Sequence, residues 1–327
     1  MRVEWIMSFL IGCLTGVFVS FIATVILGLI VVPILKKKKI GQVVREDGPK
    51  SHLQKNGTPI MGGVIMLIVI NIIMAVFVKN NIILVLPMVA TLGFGLIGFL
   101  DDFKKLYLQN PEGMSPKAKM LGLFVVTAAL IVLYLYVFKL GTTTIIPFIN
   151  QPVNLALPVF ILFIAFILLG TTNAVNLTDG LDGLATGVVA IIMTFFTLVA
   201  LKQQNYEMVI FASTVAGSCI GFLIFNMHPA KVFMGDTGSL ALGGAVAICA
   251  IVLKMPLILA LVALVCIIDT ISVMLQVVYF KITKGKRLFK MAPFHHHLEL
   301  SGYKETTVVA IFWLVTLICC IIGYFII

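Results

Sequence analysis

From Phe9 to Leu35 the chain is almost unbroken apolar sequence, and Lys36, Lys37, Lys38 and Lys39 end it. In lipid such a run finds no outside partner for its backbone N–H and C=O groups, so it must form a helix. It is too long for the apolar stretch of a secretory leader and lacks a small-x-small cleavage site. The four lysines read instead as a stop-transfer cluster. Further runs of about 17–25 residues lie near 60–78, 82–100, 119–138, 155–171, 184–201, 208–225, 238–253, 256–280 and 305–327. The expected fold is therefore an all-α polytopic membrane protein of about ten transmembrane helices, forming one integral membrane domain over residues 1–327. A hydrophobic content of 61% against 11% charged residues agrees with this.

The net charge of +10 is not a nucleic-acid signal, because the cations are confined to a few loops. Of 23 Lys and Arg, only Arg2, Lys79, Lys139, Lys202 and Lys254 fall on one side of the alternation. The other eighteen lie in loops 36–59, 101–118, 226–237 and 281–304, together with Lys119. The positive-inside rule places these loops, with 172–183, in the cytoplasm and both termini outside. Residues 141–154, with their threonines, isoleucines, Pro147 and Pro152, predict a short outer β-hairpin. All six cysteines sit in apolar spans with no C-x-x-C pair, as packing residues.

The polar loops carry the chemistry. Asn226 to Ser239 packs an amide, a histidine, a lysine, a carboxylate, two hydroxyls and two glycines between two apolar spans. Asp236 there is a hard oxygen ligand of the kind Mg²⁺ prefers, or else, with Ser239, a helix N-cap. Asp101 and Asp102 are adjacent carboxylates directly after a span. Their mutual repulsion suits a general base or a metal partner, or they mark a helix end entering water. Lys55, before a Gly-Thr-Pro turn, is either a mobile cation or an ordinary positive-inside lysine.

The loop Asn173 to Ala185 has no Lys or Arg but two Asp-Gly pairs. Asn176, Asp179 and Asp182 are three residues apart, so a helical turn would align them on one face. In the last loop, His295, His296 and His297 lack zinc-site spacing and read as a patch gripping phosphate or sugar oxygens beside Lys286 and Arg287. Asp269, mid-span in 256–280, is set apart from the site, with Gln276 as a partner two turns away. A cation-coupled transporter would place its acids near the bilayer midplane, and here only Asp269 is so placed.

Four ordered motifs complete this reading: Asp101-Asp102-x-x-Lys105, Asn176-Leu-Thr-Asp179-Gly-Leu-Asp182-Gly-Leu-Ala, Asn226 to Ser239, and Ala292-Pro-Phe-His-His-His-Leu-Glu299. Together they span nearly the whole chain, which strongly resembles the polyprenyl-phosphate N-acetylhexosamine-1-phosphate transferases. The triple histidine points to the muramoyl branch over relatives that transfer GlcNAc-1-phosphate. The resemblance implies a membrane enzyme that uses Mg²⁺ to transfer phospho-MurNAc-pentapeptide from UDP-MurNAc-pentapeptide to undecaprenyl phosphate, giving lipid I and UMP. It implies a bilayer location with the site on the cytoplasmic face and no nucleic-acid partner, and the sequence leaves a homodimer open. Asp236 matches the Mg²⁺ ligand, and Asp101 and Asp102 the acidic pair that supplies a base. Lys55, Lys105, Lys119, Asn176, Asp179, Asp182, Asn226, Phe233 and Gln276 match residues that line the substrate cleft. His295, His296 and His297 match the histidine motif, with His296 counted among the catalytic residues. Ile60 and Leu123 stand where the family commonly has threonine and glutamine.

Overall fold

The computed structural model describes residues 2–37, 55, 57–79, 81–107, 113–149 and 151–327. Lys38 and Lys39 of the stop-transfer cluster, and the rest of the first loop to residue 54, lie outside the described residues. The long helices are α1 (Arg2–Lys37), α3 (Val85–Tyr107), α4 (Pro116–Val132), α5 (Leu157–Thr178), α6 (Leu184–Lys202), α7 (Tyr206–Asn226), α8 (Gly235–Val252), α10 (Leu264–Ile282) and α12 (Glu305–Ile326). Among the described residues, nine segments are long and apolar enough to cross a membrane. The tenth expected span is α2 (Gly63–Phe77), at 15 residues. At ~1.5 Å per residue it is about 23 Å long, shorter than the hydrocarbon layer.

The helix α8 is the hub of the bundle, and every residue from Thr237 to Val252 is buried. Its small residues allow its neighbours to approach at backbone distance, the device that packs helices where lipid removes the hydrophobic drive. A Cβ built on Gly63 of α2 would lie 2.3 Å from the Cα of Gly238, and one on Gly98 of α3 would lie 2.1 Å from the carbonyl oxygen of Asp236. On the other side, α1 and α7 run alongside each other in the same direction: Gly16 faces Ser213, Thr24 bonds Ser218 at 2.9 Å, and Gly28 faces Phe225.

Two expected features take their predicted form. Strands β1 (Thr143–Ile146) and β2 (Gln151–Asn154) make an antiparallel hairpin pairing Thr143 with Asn154. The hairpin docks on the C-terminal end of α8 through Ile145 N–H to Lys254 O, at 2.7 Å. The motif loops gather at the opposite end of the bundle, and the alternation of spans puts both termini at the hairpin end.

Other elements differ from expectation. Helix α3 continues past its apolar run to Tyr107, and α5 continues to Thr178, so each carries polar motif residues on rigid helix. The span expected over 256–280 is broken. A one-turn helix α9 (Leu259–Val262) ends at Ala263, whose φ of −101° and ψ of 22° interrupt the helix before α10 begins. Asp269 lies within α10, itself long and apolar enough to cross a membrane, and its side chain meets His295 of the last motif loop. Ile60 and Leu123, the two departures from the family pattern, are both buried.

Candidate active site

Asp101 and Asp102 ride the last turns of α3, and Asp236 sits in the first turn of α8. Carboxylate oxygens of the three converge to within 4.8 Å of one another. Gly235, at φ 75°, supplies the left-handed turn that starts α8, and a Cβ there would lie 2.6 Å from Asp102 Oδ2. Asp102 accepts from the N–H of Asp236 at 3.1 Å, the N–H of Thr237 at 2.9 Å and the Thr237 hydroxyl at 2.6 Å. The cap of α8 therefore comes from α3, and neither Asp236 nor Ser239 supplies it. A carboxylate at this end also meets the positive pole of the helix.

Two lysines close the cluster. Lys105 Nζ lies 2.6 Å from Asp101 Oδ2 and 3.2 Å from Asp236 Oδ2, and Lys119 Nζ lies 2.8 Å from Asp236 Oδ2. Asn176, on α5, donates to Asp236 Oδ1 at 3.0 Å and to Ser239 Oγ at 2.8 Å. Three clustered carboxylates repel one another unless cations stand among them. The ammonium of Lys105, shared between Asp101 and Asp236, marks where positive charge is taken up. Hard oxygen donors in this arrangement fit a divalent cation such as Mg²⁺, and Asp236 is the residue that would hold it.

Asp179 does not share a helical face with Asn176 and Asp182. Helix α5 stops at Thr178, Asp179 is its C-cap, and the chain turns through Gly183 (φ 76°) into α6. The side chain of Asp179 takes no hydrogen bond from a described residue. Burial, with the charges of Asp236, Asp102 and Asp182, pushes its carboxyl well above the usual range.

A second cluster holds the first loop to the start of α12. Lys55, expected as a mobile cation, is clamped 2.7 Å from Asp182 Oδ1 and 2.5 Å from Glu305 Oε1. Glu305 also accepts the N–H of Asp182 at 2.8 Å, and His228 Nδ1 lies 3.1 Å from Asp182 Oδ2. The carboxylate of Asp182 is thus occupied from within. Neither Glu305 nor His228 stands among the residues predicted for the site. An acid in the first turn of the last span was the only signal for Glu305, and its partner lies 250 residues away.

Three residues expected in the cleft or its histidine patch also hold loops. Asn226 is buried, its amide bonded to Val232 O at 3.0 Å and to the Thr186 hydroxyl at 2.7 Å. Gln276 accepts from the N–H groups of Leu288 and Phe289 at 3.1 and 2.9 Å, ordering the basic loop. His297 packs between the rings of Phe289 and Phe294. Phe233 pairs through its backbone with Pro59 and Gly62, at 2.8 and 2.9 Å, and its ring is half-buried. His295 and His296 open the short helix α11 (Phe294–Leu300), their Nδ1 atoms each 2.9 Å from a carboxylate, of Asp269 and Glu299 respectively. Asp269 is therefore partnered by His295, not by Gln276.

Residues 83–254, which carry the acidic pair, the Asp-Gly loop and Asp236, match the model for glycosyl transferase family 4. The phospho-N-acetylmuramoyl-pentapeptide-transferase of Acetivibrio thermocellus is 49% identical over 310 residues, covering 94% of this chain and 92% of that one. The chain belongs to the phospho-N-acetylmuramoyl-pentapeptide-transferase family. Members from Thermoanaerobacter sp. and Clostridium perfringens are each 46% identical and each cover 94% of this chain and 96% of their own length. Membership of this transferase family makes the chain a multi-pass membrane enzyme, and the acidic cluster at one end of its bundle includes residues of the matched range.

Proposed function

We propose that this chain transfers phospho-MurNAc-pentapeptide from UDP-MurNAc-pentapeptide to undecaprenyl phosphate, releasing UMP and forming lipid I for peptidoglycan synthesis. Family membership supports the pair of substrates. One observation supports the chemistry: Asp101, Asp102 and Asp236 converge with Lys105 and Lys119 at the end of the bundle where all the motif loops meet. A lipid phosphate and a water-soluble nucleotide sugar can meet only at such a boundary. The charge bias of the motif loops supports the cytoplasmic boundary.

Asp236 is the proposed ligand of Mg²⁺, which when bound would neutralise charge on the diphosphate. Lys105 and Lys119 hold the anionic oxygens of the diphosphate and of the departing UMP. Asp102 has both carboxylate oxygens committed to the start of α8, so it braces Asp236. Asp101, whose oxygens meet the Met114 N–H and the lysines and lie beside the Asp236 carboxylate, is the better-placed base for the lipid phosphate. Its attack joins the lipid phosphate oxygen to the sugar-bearing phosphorus as the bond from that phosphorus to UMP breaks.

The test is UMP release by purified protein given undecaprenyl phosphate and each UDP-sugar in turn. Release with UDP-MurNAc-pentapeptide is expected. Release with UDP-GlcNAc alone would assign the chain to the GlcNAc-1-phosphate reaction.

A further inference from the structure

Asp269 and His295 are both completely buried and lie on different elements, α10 and α11. The Asp269 carboxylate grips His295 twice, accepting the backbone N–H at 3.2 Å on Oδ1 and meeting ring Nδ1 at 2.9 Å on Oδ2. A carboxylate can only accept, so Nδ1 carries the hydrogen and Nε2 is the one polar ring atom left for anything else. Nε2 has no hydrogen-bond partner among the described residues although it is buried. It faces the turn between α5 and α6: a Cβ on Gly180 would stand 2.2 Å from His295 Nε2 and 3.2 Å from His296 Nε2. Only glycine leaves that space in front of the two imidazoles. His296 repeats the arrangement, with Nδ1 2.9 Å from Glu299 Oε2.

We propose that Asp269 is a positioning residue, which fixes the tautomer and angle of His295 so that Nε2 meets a polar group of the nucleotide-sugar substrate beside the Asp179–Asp182 turn. This rests on the function proposed above. A buried ring nitrogen without a partner is costly to maintain. A carboxylate behind the opposite nitrogen is the usual device for presenting an imidazole to a ligand in one orientation. Asp269 itself touches no substrate and acts only through the ring.

The experiment is a double-mutant cycle with Asp269→Asn and His295→Ala, reading KM for UDP-MurNAc-pentapeptide and kcat separately, with ¹⁵N spectra of the histidine-labelled protein. Asp269→Asn keeps the size of the side chain and can offer its NH₂ to Nδ1, turning the ring to the other tautomer. The expected result is a rise in KM of about tenfold, the scale of one lost hydrogen bond, with a smaller change in kcat. The double variant should behave as His295→Ala alone, the His295 resonances should change tautomer, and Asp269→Glu should restore part of the loss. Effects that multiply across the cycle, or an Asp269→Asn protein with wild-type KM and tautomer, would overturn the proposal. Absence of UMP release by the wild-type protein would instead remove the assigned reaction, and the spectra would still report whether Asp269 sets the tautomer.

Discussion

The carboxylate of Asp102 accepts the backbone N–H of Asp236 at 3.1 Å, so a residue of α3 holds in place the residue of α8 proposed to hold the metal. Adjacent acids in the sequence thus divide into two roles. Asp102 faces inward as a helix cap, and Asp101 faces the lysines.

That division predicts opposite outcomes for neighbouring substitutions. Asp102→Ala strips partners from two backbone N–H groups and from the Thr237 hydroxyl, at about 1–3 kcal/mol for each buried group left bare. Thermal unfolding in detergent should show this loss clearly. Asp101→Asn should leave the unfolding temperature nearly unchanged while UMP release falls by about 10²-fold or more, the usual scale for removing a general base. Equal stability of the two variants would contradict the assignment of Asp102 as the brace.

Gly98→Ala probes the same contact from the other side. Its Cβ would stand 2.1 Å from Asp236 O, a backbone atom with little freedom to yield. Overpacking of this kind costs about 1–3 kcal/mol, and the displaced first turn of α8 should lower kcat as well. Unchanged activity and stability would mean that α3 and α8 are not held this close.

Asp179 gives a pH signature. Its carboxyl is raised well above the usual carboxylate range in the folded protein by burial and by the neighbouring acids. The folded state therefore binds this proton more tightly than the unfolded chain does. Its contribution to stability is present below the unfolded pKa of about 3.9 and is lost as pH climbs through the raised folded value. Asp179→Asn should accordingly unfold at a higher temperature than wild type at neutral pH, with the gap closing towards pH 4. A gap that widens on acidification would reverse the assignment.

Much of this architecture is legible in the sequence. Apolar run lengths predict the bundle, lysine and arginine positions predict which loops share an end, and turn residues predict the hairpin. Two site features are not legible, for physical reasons. Hydropathy stops reporting a helix where its residues turn polar, so the extensions of α3 to Tyr107 and of α5 to Thr178 are invisible to it. Nor does a motif reveal whether its polar atoms face a ligand or one another. Asn226, Gln276 and His297 lie within or between the motifs, yet their bonds go to Val232, Leu288 and Lys290. Lys55 reads as free until Glu305, far along the chain, is brought beside it.

The shared end of the bundle can be tested directly. Cysteines replacing Lys286, in the basic loop, and Gln151, in the hairpin, are both exposed. They should label from opposite faces of sealed vesicles, Lys286→Cys from the cytoplasmic one. Labelling from the same face would break the alternation on which the site's location depends.

The central claim is that Asp236 holds the cation needed for transfer. Its most direct test is UMP release by Asp236→Ala, with undecaprenyl phosphate and UDP-MurNAc-pentapeptide, across a Mg²⁺ titration carried to saturation of the wild-type enzyme. The account predicts a folded protein with no measurable turnover at any Mg²⁺ concentration. A variant that regains a near-wild-type rate at saturating Mg²⁺ would contradict it.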